Sequence, residues 1–340
     1  MSSFAKITDF SDRYIFKPLY FKLIMVIMTL LTAIPYMQVV LGGYVKYGMA
    51  FGVLICIWTF FNGRFKEIIK NKYNWLLWGF ILLYAVTTVI NRDMLFTKNI
   101  SQLIYMTVFL YLFVGVEGTL PAEQRRKELE IVFGVVLLFV AVFSSVGIYT
   151  FLFGISKEYQ LDIYYLATHF GMYLGRLWGL YQPNTGGALA SISMLITLYF
   201  LPRIRRLNKK WLRVIAYIGA VLNMILQFCY LVLSYSRGAT YAFAAAIAVY
   251  SFFCIFRTEF LKEKKMFIRL LAGFVIAVAL AGAVYGMTGV TRNVLEYAPG
   301  AFQKLVGYEK PAEEQTAVVS FPIMTETLSA TNESTPKVIE

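Results

Sequence analysis

The chain has 340 residues, of which 59% are hydrophobic and 15% charged, and its mean hydropathy is +0.64. A water-soluble protein of this length cannot cover so much apolar surface, so the composition excludes a soluble globular enzyme and predicts a membrane protein. The net charge of +13 would suit a nucleic-acid-binding protein, but the distribution of the basic residues, described below, argues against that class.

Apolar runs long enough to cross a bilayer, which takes about 20 residues each, recur between residues 19 and 290. Charges are scattered through residues 1–22 and no small-residue cleavage site follows, so the first run predicts a retained helix, not a cleaved signal peptide. The predicted fold is an all-α polytopic membrane helix bundle packed through small residues. About nine transmembrane helices are expected, near 23–41, 44–61, 75–90, 100–116, 131–153, 185–201, 214–235, 239–256 and 270–290.

The basic residues mark one side of the membrane. Of the 32 Lys and Arg residues, 22 lie in five segments that alternate regularly with the predicted helices, namely 1–22, 62–74, 117–130, 202–213 and 256–269. Because Lys and Arg accumulate in cytoplasmic loops, this pattern predicts a multi-pass protein with a cytoplasmic N-terminal arm over 1–22. The lipid bilayer is the expected partner of these charges, and no nucleic-acid partner is expected, since such a surface would interleave stacking aromatics.

The three cysteines, Cys56, Cys229 and Cys254, all fall inside predicted helices. This placement predicts buried packing roles and argues against both a disulfide framework and a thiolate metal site. We therefore expect no cysteine-bound metal.

The composition changes after the transmembrane domain, which is predicted over 23–290. Residues 291–340 contain seven Glu against four Lys or Arg and are rich in Thr, Ser and Pro, without a further apolar run. With nine crossings from a cytoplasmic N-terminus, this segment is expected outside the cell as a flexible loop or tail.

The stretch LSYSRGATYAF, residues 233–243, places Arg237 between two apolar helices. A lone arginine at a helix end that reaches lipid headgroups is one interpretation. The other is an anion site, because Ser236 supplies a hydroxyl, Gly238 lets a ligand approach the backbone, and the next helix, expected to open at Ala239 and Thr240, points its N-terminus outward.

A second stretch, GRLWGLYQPNTGGALA, offers a similar arrangement on the same predicted external face. Arg176 precedes Pro183. This proline ends any regular element before it, and Asn184 or Thr185 can cap the helix that follows. Arg292, just past the ninth predicted helix, is either a third basic contributor or an ordinary flanking charge.

The external segment before Arg176 is rich in aromatic residues. Tyrosines such as Tyr173 form interfacial belts in membrane proteins, and beside an anion site they also stack on sugar rings. The only histidine, His169, lies in this segment and is a candidate general base, although a lone histidine is more often structural.

The two quoted stretches resemble the signatures of the O-antigen ligase and polymerase superfamily of bacterial envelope glycosyltransferases. GRLWGLYQPNTGGALA resembles its Arg, Gly, then Pro-Asn motif, and LVLSYSRGATYAF resembles its Ser-Arg-Gly motif, in the expected order. The resemblance covers roughly residues 20–300, with motif support between 173 and 243.

The resemblance implies transfer of a glycan from a polyprenyl diphosphate carrier to an acceptor hydroxyl at the external face of the bacterial inner membrane. It implies no cofactor, no nucleotide sugar and no obligatory metal. Arg176, Arg237 and His169 would then be catalytic, the arginines on the diphosphate. The candidate substrate-binding residues would be Asn184, Ser236, Gly238, Arg292 and Tyr173. We lean towards a polymerase of capsular or exopolysaccharide repeat units, although no residue separates polymerase from ligase.

Members of the superfamily continue beyond this point with a large external loop and further helices, so the chain is expected to be either truncated or divergent. A transporter or flippase of lipid-linked oligosaccharide is a competing hypothesis, but it should carry ionisable residues at mid-helix, and almost none are present. A non-catalytic membrane subunit that associates with other polysaccharide-assembly proteins is a third hypothesis.

Overall fold

The computed structural model describes residues 15–62, 64–71, 74–93, 96–161, 166–256 and 266–308, and of residues 157–169 only the backbone. Two apolar helices of this part of the chain are short, Pro18–Thr32 and Trp75–Ile90. Seven more are long and apolar enough to cross a membrane, namely Pro35–Phe61, Phe96–Thr119, Ala122–Leu152, Pro183–Ile204, Lys210–Ser234, Arg237–Phe256 and Met266–Val306. The chain is thus a multi-pass membrane helix bundle, as predicted.

The N-terminal half contains α1 (Pro18–Thr32), α2 (Pro35–Leu41), α3 (Val45–Phe61), α4 (Arg64–Lys70), α5 (Trp75–Ile90) and α6 (Phe96–Leu110). The C-terminal half contains α7 (Ala122–Leu152), β1 (Ser156–Leu161), β2 (Leu166–Tyr173), β3 (Arg176–Leu177), α8 (Pro183–Ile204), α9 (Lys210–Ser234), α10 (Arg237–Phe256) and α11 (Met266–Val306). Each half has its own cluster of buried apolar side chains.

The break between the first two helices lies at Pro35, not at Gly42 and Gly43 as the sequence predicted. Proline lacks the N–H that continues a helix but suits its first turn, so α1 ends at Thr32 and α2 begins at Pro35. The two glycines lie in a 3-10 turn that links α2 to α3. In α3, Gly52 lets the helix contact the ring of Phe21 in α1 directly.

The all-α prediction holds for the helix bundle, and the exception is a three-stranded antiparallel sheet formed by residues 156–161, 166–173 and 176–177. Strand β1 pairs with β2 from Ser156 opposite Gly171 to Leu161 opposite Leu166, and β2 pairs with β3. Gly171 has φ +99°, and a Cβ there would overlap the carbonyl of Ile155, so this position of β2 requires glycine.

The last helix extends past residue 290, the predicted end of the transmembrane domain. At 41 residues, α11 is about 61 Å long, roughly twice the thickness of a hydrocarbon core. Its final turn packs on the end of α7, where Gln303 Nε2 donates to the carbonyl of Leu152 at 3.0 Å and Phe302 contacts Phe153 edge to face. The first part of the predicted flexible segment is therefore helical, and its remainder from residue 309 lies outside the described residues.

We call the two ends of the bundle the sheet end, where the strands lie, and the basic end, which carries the ion pairs of the cytoplasmic segments predicted above. At the basic end, Lys22 of α1 pairs with Glu117 and with Glu128, the latter at 3.0 Å, and Arg203 Nε lies 2.6 Å from Glu130. The Lys22–Glu128 pair joins the N-terminal half to α7. Which end faces the cytoplasm remains the prediction from the charge distribution.

Between the ends, a chain of uncharged polar side chains connects α7, α8 and α9. Ser144 donates to Gln227 at 2.8 Å, Gln227 donates to Asn223 at 3.2 Å, and Asn223 donates to Ser193 at 3.2 Å and Thr197 at 2.8 Å. Such interhelical hydrogen bonds hold helices together where water is absent. They fix α8 and α9, whose ends near the strands belong to the candidate site, relative to α7.

Lys22 should stabilise the protein much more than an exposed lysine does. Replacing Lys22 with Met would leave two largely buried carboxylates without their cation, so we expect the free energy of unfolding in detergent micelles to fall by about 3–5 kcal/mol. The matched control is Lys127→Met, because Lys127 and Glu123 pair at 2.8 Å with side chains 70% and 80% exposed. That change should cost less than about 1 kcal/mol. Equal losses would contradict a role for Lys22 in joining the two halves.

Candidate functional site

The turn between α9 and α10 is a sharp one, and Ser236 stabilises it. Tyr235 ends α9 in the left-handed conformation, with φ +52°. The buried Ser236 then caps α10: its Oγ accepts from the N–H of Ala239 at 3.4 Å and its carbonyl accepts from the N–H of Thr240 at 3.0 Å. Helix α10 thus begins at Arg237, two residues before the predicted start at residue 239, and the exposed Arg237 side chain occupies its first turn.

Arg176 binds the same turn from the side of the sheet. Its Nε donates to the carbonyl of Ser234 at 3.0 Å, and its Nη2 donates to Oδ1 of Asn184 at 2.8 Å. The last carbonyls of a helix lack partners within the helix, and a cation is favourable beside them. Asn184 does not cap α8 as predicted, because Gln182 is the N-cap residue without a side-chain bond and Pro183 follows at the first position. Arg176 therefore ties the start of α8 to the end of α9.

The glycines of the first motif bring it into direct contact with the second. A Cβ on Gly186 would lie 2.6 Å from the ring of Tyr230, and one on Gly187 would lie 2.7 Å from Oγ of Ser234 and 2.8 Å from Cβ of Ser236. These distances are shorter than any side chain tolerates, so α8 can approach α9 this closely only through glycine. The two stretches singled out by the sequence thus form one packed unit at the sheet end.

A cavity of about 610 Å³ opens beside this unit, between the α9–α10 turn and α11. From α11 it is lined by Tyr285, Gly286, Thr288, Gly289 and Arg292. The other wall consists of Leu231, Val232, Tyr235, Arg237, Thr240 and Tyr241.

The cavity carries positive charge. Arg237 and Arg292 both line it, and no acidic side chain is among its lining residues. The guanidinium carbon of Arg292 lies 3.1 Å from the centroid of the Tyr235 ring, a cation–π contact that holds this arginine over the turn. Tyr241 and Tyr285 stack with their centroids 5.8 Å apart and their planes 16° apart. Guanidinium groups keep their charge at physiological pH and match phosphate oxygens, so the arrangement suits an anionic ligand.

The structure separates the predicted arginines into two roles. Arg237 and Arg292 come together in the cavity, whereas Arg176 and Asn184 bind each other outside its lining. Ser236 is buried as a helix cap, and Gly238 is exposed, with open space where a Cβ would stand.

The two predicted residues of the aromatic segment lie in strand β2. Tyr173 is opposite Arg176 in the sheet register, and its ring meets that of Trp178 at 6.0 Å, edge to face. His169 lies opposite Glu158, and its side chain falls outside the described residues, so its role as a base stays a prediction. In the described part of the chain, no three His, Cys, Asp or Glu side chains cluster as metal ligands.

Sequence reasoning missed the contribution of α11 to the cavity. The signal was present in YGMTGVTR, residues 285–292, where Tyr285, Thr288, Gly289 and Arg292 follow the spacing of one helix face. These residues fall at the end of the ninth predicted helix, where nothing in the local sequence distinguishes them from ordinary transmembrane residues. Only Arg292 stood out, because it is charged.

Comparisons with protein-family models, with curated proteins and with solved structures found no match to the chain. The resemblance of the two motifs to a family therefore remains a proposal.

Gly186 should be intolerant of even a methyl group. Gly186→Ala pushes a Cβ into the Tyr230 ring, and overpacking of this kind costs about 1–3 kcal/mol of unfolding free energy in detergent. Gly219→Ala in α9 is the control, since nothing lies within 4 Å of a Cβ there, and its effect should stay within about 1 kcal/mol. A Gly186→Ala protein as stable as the wild type would rule out the close packing of the two motifs.

Arg176 and Arg237 should differ in their effect on stability. Arg176→Gln removes charge-assisted bonds to Ser234 and Asn184, so we expect the free energy of unfolding to fall by about 1.5–3 kcal/mol. Arg237→Gln changes an exposed side chain and should stay within about 0.5 kcal/mol of the wild type. Unfolding titrations in detergent micelles compare the two variants directly, and the reverse order would show that Arg176 does not support the turn.

Proposed function

We propose that this chain is a membrane glycosyltransferase that moves a glycan from a polyprenyl diphosphate carrier to an acceptor hydroxyl, as in the O-antigen ligase and polymerase superfamily. The observation that carries the proposal is the convergence of Arg237 and Arg292 on one cavity beside the two motifs that resemble this superfamily. A cavity with two cations and no lining carboxylate favours a ligand with several negative charges, and a diphosphate is such a ligand.

The chemistry of transfer explains why fixed guanidinium groups would help. The acceptor oxygen forms a bond to the anomeric carbon, the bond from that carbon to the phosphate oxygen breaks, and the diphosphate leaves with an additional negative charge. Donors already oriented towards that charge stabilise the transition state more than the ground state. The proton of the acceptor hydroxyl passes to a base, for which His169 is the candidate.

In this mechanism Arg237 and Arg292 contact the diphosphate, whereas Arg176 acts as a positioning residue. Its bond to the Ser234 carbonyl supports the turn from which Arg237 projects. This division of roles modifies the expectation that Arg176 and Arg237 both bind the carrier.

The membrane orientation follows from the charge distribution. With the basic end in the cytoplasm of a bacterial inner membrane, the sheet end and its cavity face outward, where lipid-linked repeat units are polymerised or ligated. The polar chain through Ser144, Gln227 and Asn223 contains no ionisable group and its members bond to one another, which favours helix association over transport.

The proposal predicts a specific phenotype for Arg237→Lys. Lysine keeps the charge but loses the bidentate fork, so we expect long polysaccharide to fall about tenfold or more while lipid-linked repeat units accumulate. The assay is polysaccharide analysis in cells that lack the native gene and carry the full-length variant gene, after membrane expression is verified.

A matched control is Arg92→Lys, which changes an exposed arginine, with a side chain 74% accessible, that follows α5. This control should leave the polysaccharide unchanged. Normal polymer with Arg237→Lys would overturn glycosyl transfer at this cavity and would favour transport of the lipid-linked glycan or a scaffold role.

A further inference from the structure

The cavity is polar at one end and aromatic at the other. Arg237 lies one turn of α10, about 6 Å, closer to the sheet end than Tyr241, and Arg292 lies seven residues, about 10 Å, along α11 from Tyr285. Helices α10 and α11 run antiparallel, so the two arginines mark the outer end and the stacked tyrosines mark the end towards the middle of the bundle.

The threonine hydroxyl groups near the two tyrosines already donate hydrogen bonds to backbone carbonyls. Thr240 Oγ1 donates to the carbonyl of Ser236 at 3.0 Å, and Thr288 Oγ1 donates to the carbonyl of Tyr285 at 2.6 Å. Leu231 and Val232 complete this part of the wall with apolar side chains. The inner part of the cavity therefore presents mainly aromatic and aliphatic surface to whatever occupies it.

The same region is more open than the packing of the chain requires. A Cβ on Gly286 or Gly289 would meet nothing within 4 Å, so neither glycine is needed for contact with another part of the described chain. Tyr241 and Tyr285 also remain 56% and 55% exposed although they stack. Stacked aromatic rings beside two open glycines leave room for a flat apolar group next to the cationic end.

These features describe an amphiphile with a phosphate headgroup and an apolar, unsaturated group attached directly to it. In a glycerophospholipid, polar ester groups separate the phosphate from the acyl chains. In an isoprenyl diphosphate, the first double bond begins one carbon from the phosphate-bearing oxygen, so an apolar planar unit lies next to the charge. The second arrangement matches a cavity in which aromatic rings lie within about two helical turns of the arginines.

We propose that Tyr241 and Tyr285 bind the first isoprene units of a polyprenyl diphosphate while Arg237 and Arg292 bind its phosphates. This inference rests on the proposed function and identifies the residues that would select the carrier lipid. The glycan then extends beyond Arg292 at the sheet end, so the cavity recognises the carrier and not the sugar.

The test uses the full-length protein in detergent micelles with three probes: farnesyl diphosphate, inorganic diphosphate and phosphatidic acid. We expect farnesyl diphosphate to bind about tenfold more tightly than either of the others. Tyr241→Ala and Tyr285→Ala should each weaken farnesyl diphosphate about tenfold and change inorganic diphosphate binding less than about twofold. Arg292→Gln should weaken both diphosphates.

The matched control is Tyr297→Ala, which removes a tyrosine of α11 that is 77% exposed and does not line the cavity. Melting temperatures of the variants verify that they are folded. Equal binding of phosphatidic acid and farnesyl diphosphate would overturn the inference in favour of a general lipid-phosphate site. Unchanged farnesyl diphosphate binding in both tyrosine variants would also overturn it.

Failure of this inference is distinguishable from failure of the proposed function. If farnesyl diphosphate binding depends on the tyrosines but polysaccharide formation survives Arg237→Lys, the carrier site stands and glycosyl transfer at it does not. If polysaccharide formation depends on Arg237 but the tyrosine variants bind farnesyl diphosphate normally, transfer stands and the assignment of the isoprene contacts is wrong.

Discussion

The contact between α8 and α9 at the sheet end is the constraint on which the candidate site depends. Gly186 and Gly187 bring the start of α8 against Tyr230, Ser234 and Ser236, at distances that no side chain other than hydrogen allows. This contact fixes the end of α9, and therefore the turn that starts α10. The cavity residues Tyr235, Arg237, Thr240 and Tyr241 take their positions from that turn.

Arg176 reinforces the same contact electrostatically. In a low-dielectric environment an unpaired carbonyl at a helix end is costly, and a guanidinium bonded to it removes that cost while remaining available for a second partner. Asn184 is that partner, so one side chain links the strand β3, the start of α8 and the end of α9. Two arginines that look equivalent in the sequence thus have different surroundings: one is held by protein atoms and the other faces the cavity.

The membrane as a solvent accounts for the rest of the architecture. Apolar side chains cover the outside of the helices, so association relies on glycine contacts, on the polar chain between α7, α8 and α9, and on ion pairs at the basic end. These three kinds of contact lie at different depths, and together they hold the long helices in register. Helix α11 alone extends well beyond them, and its outer turns reach the end of α7.

The sequence by itself determined the membrane class, the approximate positions of most helices and the two motifs, because these depend on local hydropathy and on residue types at short spacing. It could not locate the first break correctly, since two glycines and a proline in that stretch all signal a helix end, and the structure places the break at Pro35. It also missed the sheet, whose aromatic residues pass for an interfacial belt until the strands pair. The tertiary structure alone decided that Arg292 joins Arg237 and that Tyr241 meets Tyr285. The two residues of each pair lie more than forty positions apart in the sequence. No local sequence pattern encodes that they are close together in space.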